Sequence, residues 1–103
     1  MPGLDQVFTA LADPTRREIL QSLAAGEELT ASALAGRFPM TRQAVAKHLG
    51  VLDRAGLVEQ ERRGRETIYT LAPDPLTDAE GWIRDTGARW DERLARLRAR
   101  YER

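Results

Sequence analysis

The sequence predicts a mainly α-helical single domain, residues 1–103, that carries one small β-hairpin. Three observations support this fold class. Apolar residues recur at spacings of three and four over most of the chain, which indicates amphipathic helices. Two runs with strong strand preference, 58–62 and 67–71, flank a glycine. From about residue 77 the helical spacing continues for roughly 25 residues, well beyond the average length of a globular helix.

Composition is typical of a folded domain and argues against several kinds of site. Charged residues make up 31% of the 103 residues and apolar residues 42%. The chain has no cysteine and one histidine, so disulfides, thiolate metal sites and histidine-rich metal sites are not expected. No apolar signal segment or membrane-length run is present, so a cytoplasmic protein is expected. No catalytic motif is found, so neither an enzyme nor a bound cofactor is expected.

The first third of the chain predicts two helices separated by a break. The first helix is indicated by the apolar residues Leu4, Val7, Phe8 and Leu11. Asp13 is a good N-cap for the second helix, and Pro14 fits its first position because the missing N–H is not needed there. This helix extends to about residue 24, and Gly26 ends it. For Arg16 and Arg17, at its start, a solvated position is favoured over a phosphate contact.

A helix-turn-helix unit is predicted over about residues 30–55. A hydroxyl side chain, Thr30 or Ser32, caps a third helix that continues to the residue before Pro39. Proline cannot extend that helix, so a tight turn follows. Thr41 then caps a fourth helix. Two helices joined by so short a turn form the helix-turn-helix arrangement.

The fourth helix has two different faces. Val45, Leu49 and Leu52 recur at spacings of four and three and form one buried stripe. The opposite face combines hydrogen-bond donors with small residues: Arg42, Gln43, Ala46, Lys47 and Gly50. Arginine can pair with guanine and glutamine with adenine in the major groove, each pair contributing about 1–3 kcal/mol of discrimination. The alternative is an ordinary amphipathic helix with a solvated polar face.

The two β-rich runs predict a hairpin, the wing, over about residues 58–71, and Gly64 permits its turn. Arg62, Arg63 and Arg65 cluster at the tip, which favours phosphate or minor-groove contact over a solvated turn. The whole chain has a net charge of zero, but residues 37–65 hold seven basic and three acidic side chains, a net charge of +4. Positive charge concentrated in this way is typical of a nucleic-acid-binding surface.

A rigid connector at residues 72–75 precedes the long helix predicted over about 77–102. Its apolar residues have the 4-3-4-3-4 spacing of a coiled-coil seam: Ile83, Gly87, Trp90, Leu94, Leu97 and Tyr101. Trp82 widens this seam, and Leu4 and Phe8 are expected to join it in a dimer interface. The alternative is a helix that folds back on its own domain. A dimer would place the two copies of the fourth helix, as recognition helices, about one DNA turn apart, roughly 34 Å, on a palindromic site.

Three segments resemble the ArsR/SmtB family of bacterial winged-helix repressors: Leu11–Leu20, Gln43–Leu49 and Leu52–Val58. The resemblance covers nearly the whole chain. It implies a homodimer that binds an operator in double-stranded DNA and represses transcription. It also implies DNA contacts from the fourth helix and the wing. The residues concerned are Thr41, Arg42, Gln43, Ala46, Lys47, His48, Arg62, Arg63 and Arg65.

The sequence departs from the family pattern at the metal-sensing positions. Thr30 and Ser32 stand where many members carry a cysteine pair, so sensing of soft metals or zinc is not expected. His48 matches the family's motif histidine and is assigned to packing or phosphate contact. Trp82 and Trp90 resemble a metal-independent subgroup, whose members are often autorepressors with an undefined inducer.

Two other functions stay open at this point. Trp82, Trp90 and the first helix could line an apolar pocket for a small-molecule inducer near the dimer interface. A winged-helix domain could also serve protein contacts alone. In that case reversing the charges of Arg42 and Lys47 would leave function intact.

Overall fold

The computed structural model describes residues 3–102, so residues 1, 2 and 103 of the predicted domain lie outside the described residues. Five helices surround a three-stranded antiparallel sheet with the order β1-β3-β2. The elements are α1 (Leu4–Leu11), α2 (Pro14–Ala24), β1 (Leu29–Thr30), α3 (Ala31–Gly36), α4 (Arg42–Arg54), β2 (Val58–Arg63), β3 (Glu66–Leu71) and α5 (Asp74–Tyr101). No helix within the described part of the chain has both the length and the apolar character to span a membrane.

Local side-chain caps fix the starts of three helices. The Asp13 carboxylate accepts hydrogen bonds from the backbone N–H groups of Thr15 and Arg16 at 2.8 and 3.2 Å. The hydroxyls of Thr30 and Thr41 each accept an N–H from the residue three positions later, at 3.0 and 3.1 Å. These bonds satisfy N–H groups that have no partner inside the helix. Of the two residues proposed to cap α3, Thr30 is therefore the N-cap.

Glycine ends α4 and determines the direction of the chain into the wing. Gly56 has a φ of +73°, which is readily adopted only without a side chain. The backbone N–H of Leu57 returns to the carbonyl of Leu52 at 3.0 Å, as in a Schellman motif. Leu57 is fully buried and Val58 nearly so, so the first residues of β2 are tied to the core.

Two expected boundaries were wrong, and one strand was missed. Helix α3 ends at Gly36 instead of continuing to the residue before Pro39, because the chain already turns there. Helix α5 begins at Asp74, so half of the expected connector is helical, since proline fits the first helical turn. Strand β1 was not expected. It pairs Leu29 with Tyr69, and its two residues are too short to show a period.

The core lies between the helices and one face of the sheet. The stripe predicted on α4 is buried: Val45, Leu49 and Leu52 are at most 2% exposed. It packs with apolar side chains from the other elements, namely Val7, Ala10, Ile19, Leu20, Leu23, Leu29, Leu34, Leu57 and Val58. A helix buried along one stripe turns that stripe toward the core, so the opposite face of α4 must point outward.

Helix α5 packs on the domain only near its start. Ala79 is its one buried residue, and Leu76 is partly buried against the core. The rest of this 28-residue helix extends away, which makes the molecule 69 Å long and only 27 by 22 Å across. The fold-back alternative therefore applies to the first turns of α5 and not to the remainder.

Candidate nucleic-acid interface

The outward face of α4 presents unpartnered polar side chains. Arg42, Gln43 and Lys47 are exposed, and within residues 3–102 none of them makes a side-chain hydrogen bond or ion pair. Ala46 lies between them and is also exposed, so no large side chain projects from the helix at this point. Thr41 stands at the exposed N-terminus, where it caps the helix. The face thus offers free donors on a rigid element, which suits recognition of base edges and phosphates.

One further basic residue borders this face and was missed by the sequence analysis. Arg54 lines the same open concavity of about 660 Å³ as Gln43, Lys47 and Gly50. An added side chain on Gly50 would meet the Arg54 guanidinium at 3.4 Å, so this side chain folds back along the helix. Residues 43, 47, 50 and 54 follow helical 4-3-4 spacing, and that spacing was a signal that could have found Arg54.

His48 points away from this outer face. It is half-buried, and its Nδ1 lies 3.4 Å from Nη1 of Arg16 on α2. Of the two roles assigned to His48, packing and phosphate contact, its position favours packing. His48 does not share the exposed surface of Lys47, its neighbour in the chain.

Arg16 and Arg17 both bind the end of α1. Arg16 is half-buried, so the expectation that it is solvated was wrong, whereas Arg17 is exposed as expected. Arg16 donates from Nε to the carbonyl of Ala10 at 2.7 Å and from Nη2 to that of Thr9 at 2.8 Å. Arg17 donates to the carbonyl of Leu11 at 2.7 Å. Cationic groups at a helix C-terminus satisfy its free carbonyls and complement its dipole.

The Asp13 carboxylate lies beside this arginine, with Oδ2 at 3.9 Å from Nη1 of Arg16. Partial desolvation raises the pKa of the Asp13 carboxyl, but hydrogen bonds from the backbone N–H groups of Arg16 and Thr15 lower it. Arg16 and the protonated form of His48 lower it further by electrostatic attraction, and the net result is a pKa below the usual value. Asp13 is thus held as the charged form that caps α2.

The three arginines of the wing have different surroundings. Gly64, with a φ of +62°, and Arg65 form a two-residue turn that pairs Arg63 with Glu66. Arg63 forms ion pairs with Glu28 at 2.7 Å and Glu61 at 3.1 Å, which raise the pKa of its guanidinium above the usual range. Arg62 is the preceding residue of the strand, so its side chain leaves the opposite face. Arg62 and Arg65 make no ion pair within the described residues.

The residues expected in a dimer interface lie on α1 and along α5. Leu4 and Phe8 pack partly against the core, and the Phe8 ring meets Trp82 edge-on with centroids 5.5 Å apart. Ile83 and Trp90 are each 57% exposed. The remaining members of the seam extend along the free part of α5, where Gly87 and Tyr101 are exposed and Leu94 and Leu97 are half-buried.

A capped recognition helix over a buried stripe, with a hairpin beside it, defines the winged helix-turn-helix class of DNA-binding proteins. Comparison with known proteins agrees: a family model described as a helix-turn-helix domain matches residues 11–61. The transcriptional repressor SdpR of Bacillus subtilis is 34% identical, over 78% of this chain and 88% of its own length. The uncharacterized HTH-type regulator YuzN of the same organism is 43% identical, over 77% and 94%.

Two solved structures identify the family to which the chain belongs. An ArsR-like transcriptional regulator from Rhodococcus sp. RHA1 is 43% identical and superimposes with a TM-score of 0.89, over 96% of this chain and 90% of that one. An ArsR family regulator, RHA00566, is 33% identical with a TM-score of 0.80. The chain belongs to the ArsR family of transcriptional regulators. The predicted winged helix-turn-helix fold and the predicted DNA-binding regulator are thus confirmed.

Proposed function

We propose that this chain acts as a homodimeric repressor that reads a palindromic operator through the outward face of α4. The observation that carries this proposal is the set of free donors on that face, Arg42, Gln43 and Lys47, above a buried stripe. A rigid helix fixes the backbone positions from which charged and amide side chains reach base edges, which favours specific contact. Transcription is then repressed because the bound protein occupies the operator.

The apolar stripe of α5 supports the dimer. Leu76 and Ala79, which pack on the domain, belong to the same stripe as Ile83, Trp90 and Leu94 further along the helix. The apolar stripe therefore continues along α5 past the part that packs on the core. Covering the exposed part of one Trp90 ring would contribute up to about 3 kcal/mol. A second copy of α5 carries the same seam and is a suitable cover.

We also propose that regulation does not use metal binding. The Thr30 hydroxyl, at one of the positions of the family's cysteine pair, is engaged in capping α3. The chain has no cysteine, and residues 3–102 contain no group of three histidine, aspartate or glutamate side chains that could hold a metal ion. The small-molecule inducer near Trp82 and Trp90, autorepression and the cytoplasmic location stay predictions.

In vitro selection tests the proposed function. Wild-type protein would be mixed with random double-stranded DNA, and the bound duplexes would be amplified and sequenced. We expect an inverted repeat whose half-site centres lie about one helical turn apart, since the two α4 helices of a dimer enter successive major grooves. Recovery of a single half-site would argue against the dimer. Recovery of unenriched sequences would argue against reading by α4.

The surroundings of the wing arginines predict unequal effects on DNA binding. Replacing Arg62 or Arg65 by alanine should weaken binding and lower the slope of log affinity against log salt by about 0.9 per lost phosphate contact. Replacing Arg63 should change the slope less, because its charge is already matched by Glu28 and Glu61. The substitution Glu28→Gln should strengthen binding, since it removes a negative charge and releases Arg63.

Salt-dependent anisotropy titrations would measure these slopes. Glu18→Gln is the matched control, because Glu18 is an exposed acid outside the ion pairs of the described chain. Equal slopes for all three arginine variants would contradict the assignment of Arg63 to an ion pair within the protein.

A further inference from the structure

We propose that Arg16 is a positioning residue, which links α1 to the recognition helix α4 through His48 and so sets the rotation of the reading face. The inference rests on the proposed role of α4 as the DNA reader. Both residues lie in the segments that carry the family resemblance, yet neither shares the exposed surface of α4. Their contact joins positions 32 residues apart in the chain.

Arg16 is held by α1 on one side. Its side chain is only 14% exposed. Nε and Nη2 each donate to a terminal carbonyl of α1, that of Ala10 at 2.7 Å and that of Thr9 at 2.8 Å. Asp13 lies 3.9 Å from Nη1 and adds an opposite charge. These contacts fix the plane of the guanidinium, so Arg16 is not available to a phosphate.

The third nitrogen of the same guanidinium reaches α4. Nη1 of Arg16 lies 3.4 Å from Nδ1 of His48. Because a guanidinium can only donate, this contact is a hydrogen bond when Nδ1 accepts, that is, in the neutral imidazole with its proton on Nε2. A planar group held by two carbonyls on one side therefore offers its remaining edge to His48. This contact resists rotation of α4 about its axis, and that rotation sets where Gln43 and Lys47 point.

The link connects the reading helix with the elements proposed to form the dimer. Helix α1 also carries Phe8, whose ring packs edge-on against Trp82 of α5 at 5.5 Å. A change at the start of α5 would move α1, and Arg16 would pass that movement to α4. One side chain thus lies between the expected interface and the DNA-reading face.

Two single variants test the Arg16–His48 contact from either side. In Arg16→Lys a single ammonium can still satisfy carbonyls at the end of α1 but lacks the fork that also reaches His48. His48→Ala removes the acceptor and leaves Arg16 on α1. We expect each variant to bind the selected duplex about tenfold more weakly, as for loss of one hydrogen bond to a charged group. The double variant should lose no more than either single variant, because both remove the same contact.

Two comparisons make the test specific to positioning. Affinity for scrambled DNA should stay unchanged in every variant, since nonspecific attraction depends on charge and not on helix rotation. His48→Asn should retain most of the wild-type affinity, because its amide oxygen can take the place of Nδ1. Arg17→Lys is the matched control: Arg17 also binds a terminal carbonyl of α1 but makes no hydrogen bond or ion pair with α4 in the described chain. It should bind the selected duplex as the wild type does.

Fluorescence anisotropy would measure the affinity of each variant for both duplexes, and thermal unfolding would check that each variant is folded. Additive losses in the double variant would overturn the proposal and indicate that His48 touches DNA itself. Wild-type affinity in Arg16→Lys and His48→Ala would overturn it too. If Arg16→Lys failed to fold, equal affinities of His48→Ala and His48→Asn would still contradict it. A wild-type protein without preference for the selected duplex would instead contradict the proposed function, namely sequence reading by α4.

Discussion

Replacing Leu94 by glutamate is expected to convert a dimer into a monomer and to abolish tight operator binding. Leu94 lies on the free part of α5, away from the core, so the domain itself should fold normally. In a dimer the seam would bring both copies of this position together, and two carboxylates would lose water without gaining a partner. A monomer contacts one half-site only, so affinity for the palindrome should fall by at least about 100-fold.

Sedimentation equilibrium would measure the oligomeric state, and anisotropy the affinity. Ala88→Glu is the matched control, because Ala88 is exposed on the same helix but lies on the side opposite the apolar stripe. This variant should behave as the wild type in both assays. A Leu94→Glu protein that sediments with the mass of the wild type would contradict the proposed interface.

Replacing Arg42 and Gln43 together by alanine should abolish sequence preference. Each bidentate pair with a base contributes about 1–3 kcal/mol, and a symmetric dimer would lose both pairs in two half-sites. We therefore expect affinity for the selected duplex to fall by at least about 100-fold and to approach that for scrambled DNA. The fold should be unaffected, since both side chains are exposed and lack partners within residues 3–102.

The control for this variant changes the same two residue types elsewhere. Arg89→Ala with Gln21→Ala removes one exposed arginine and one exposed glutamine, on α5 and α2. Its affinity should stay within about twofold of the wild type, because neither position borders the reading face. An Arg42→Ala/Gln43→Ala protein that still prefers the selected duplex would show that other residues read the bases.

Local signals were sufficient to predict helix α4 and its outward face. Thr41 can satisfy a free N–H of the first turn whatever lies around it, so its capping role follows from the sequence. The spacing of Val45, Leu49 and Leu52 identified the buried stripe, and the outer face followed as its opposite. The glycine of the wing marked its turn for the same reason, since a positive φ is a local requirement.

Partners distant in sequence were not predictable in this way. Arg16 meets His48 across 32 residues and Arg63 meets Glu28 across 35. No periodic pattern records which surface a long flexible side chain will reach after folding. This is why Arg16 was expected to be solvated, and why the three wing arginines were treated as equivalent. Strand β1 was missed because its pairing with β3 is also a long-range contact.

The most direct test of the central proposal is wild-type binding to the selected palindromic duplex and to a scrambled duplex at several salt concentrations. Sequence reading by two α4 helices predicts affinity for the selected duplex at least about 1,000-fold higher, within the usual range for specific over nonspecific binding. That preference should persist as salt rises. Equal and steeply salt-dependent binding to both duplexes would mean phosphate attraction alone and would contradict the proposal.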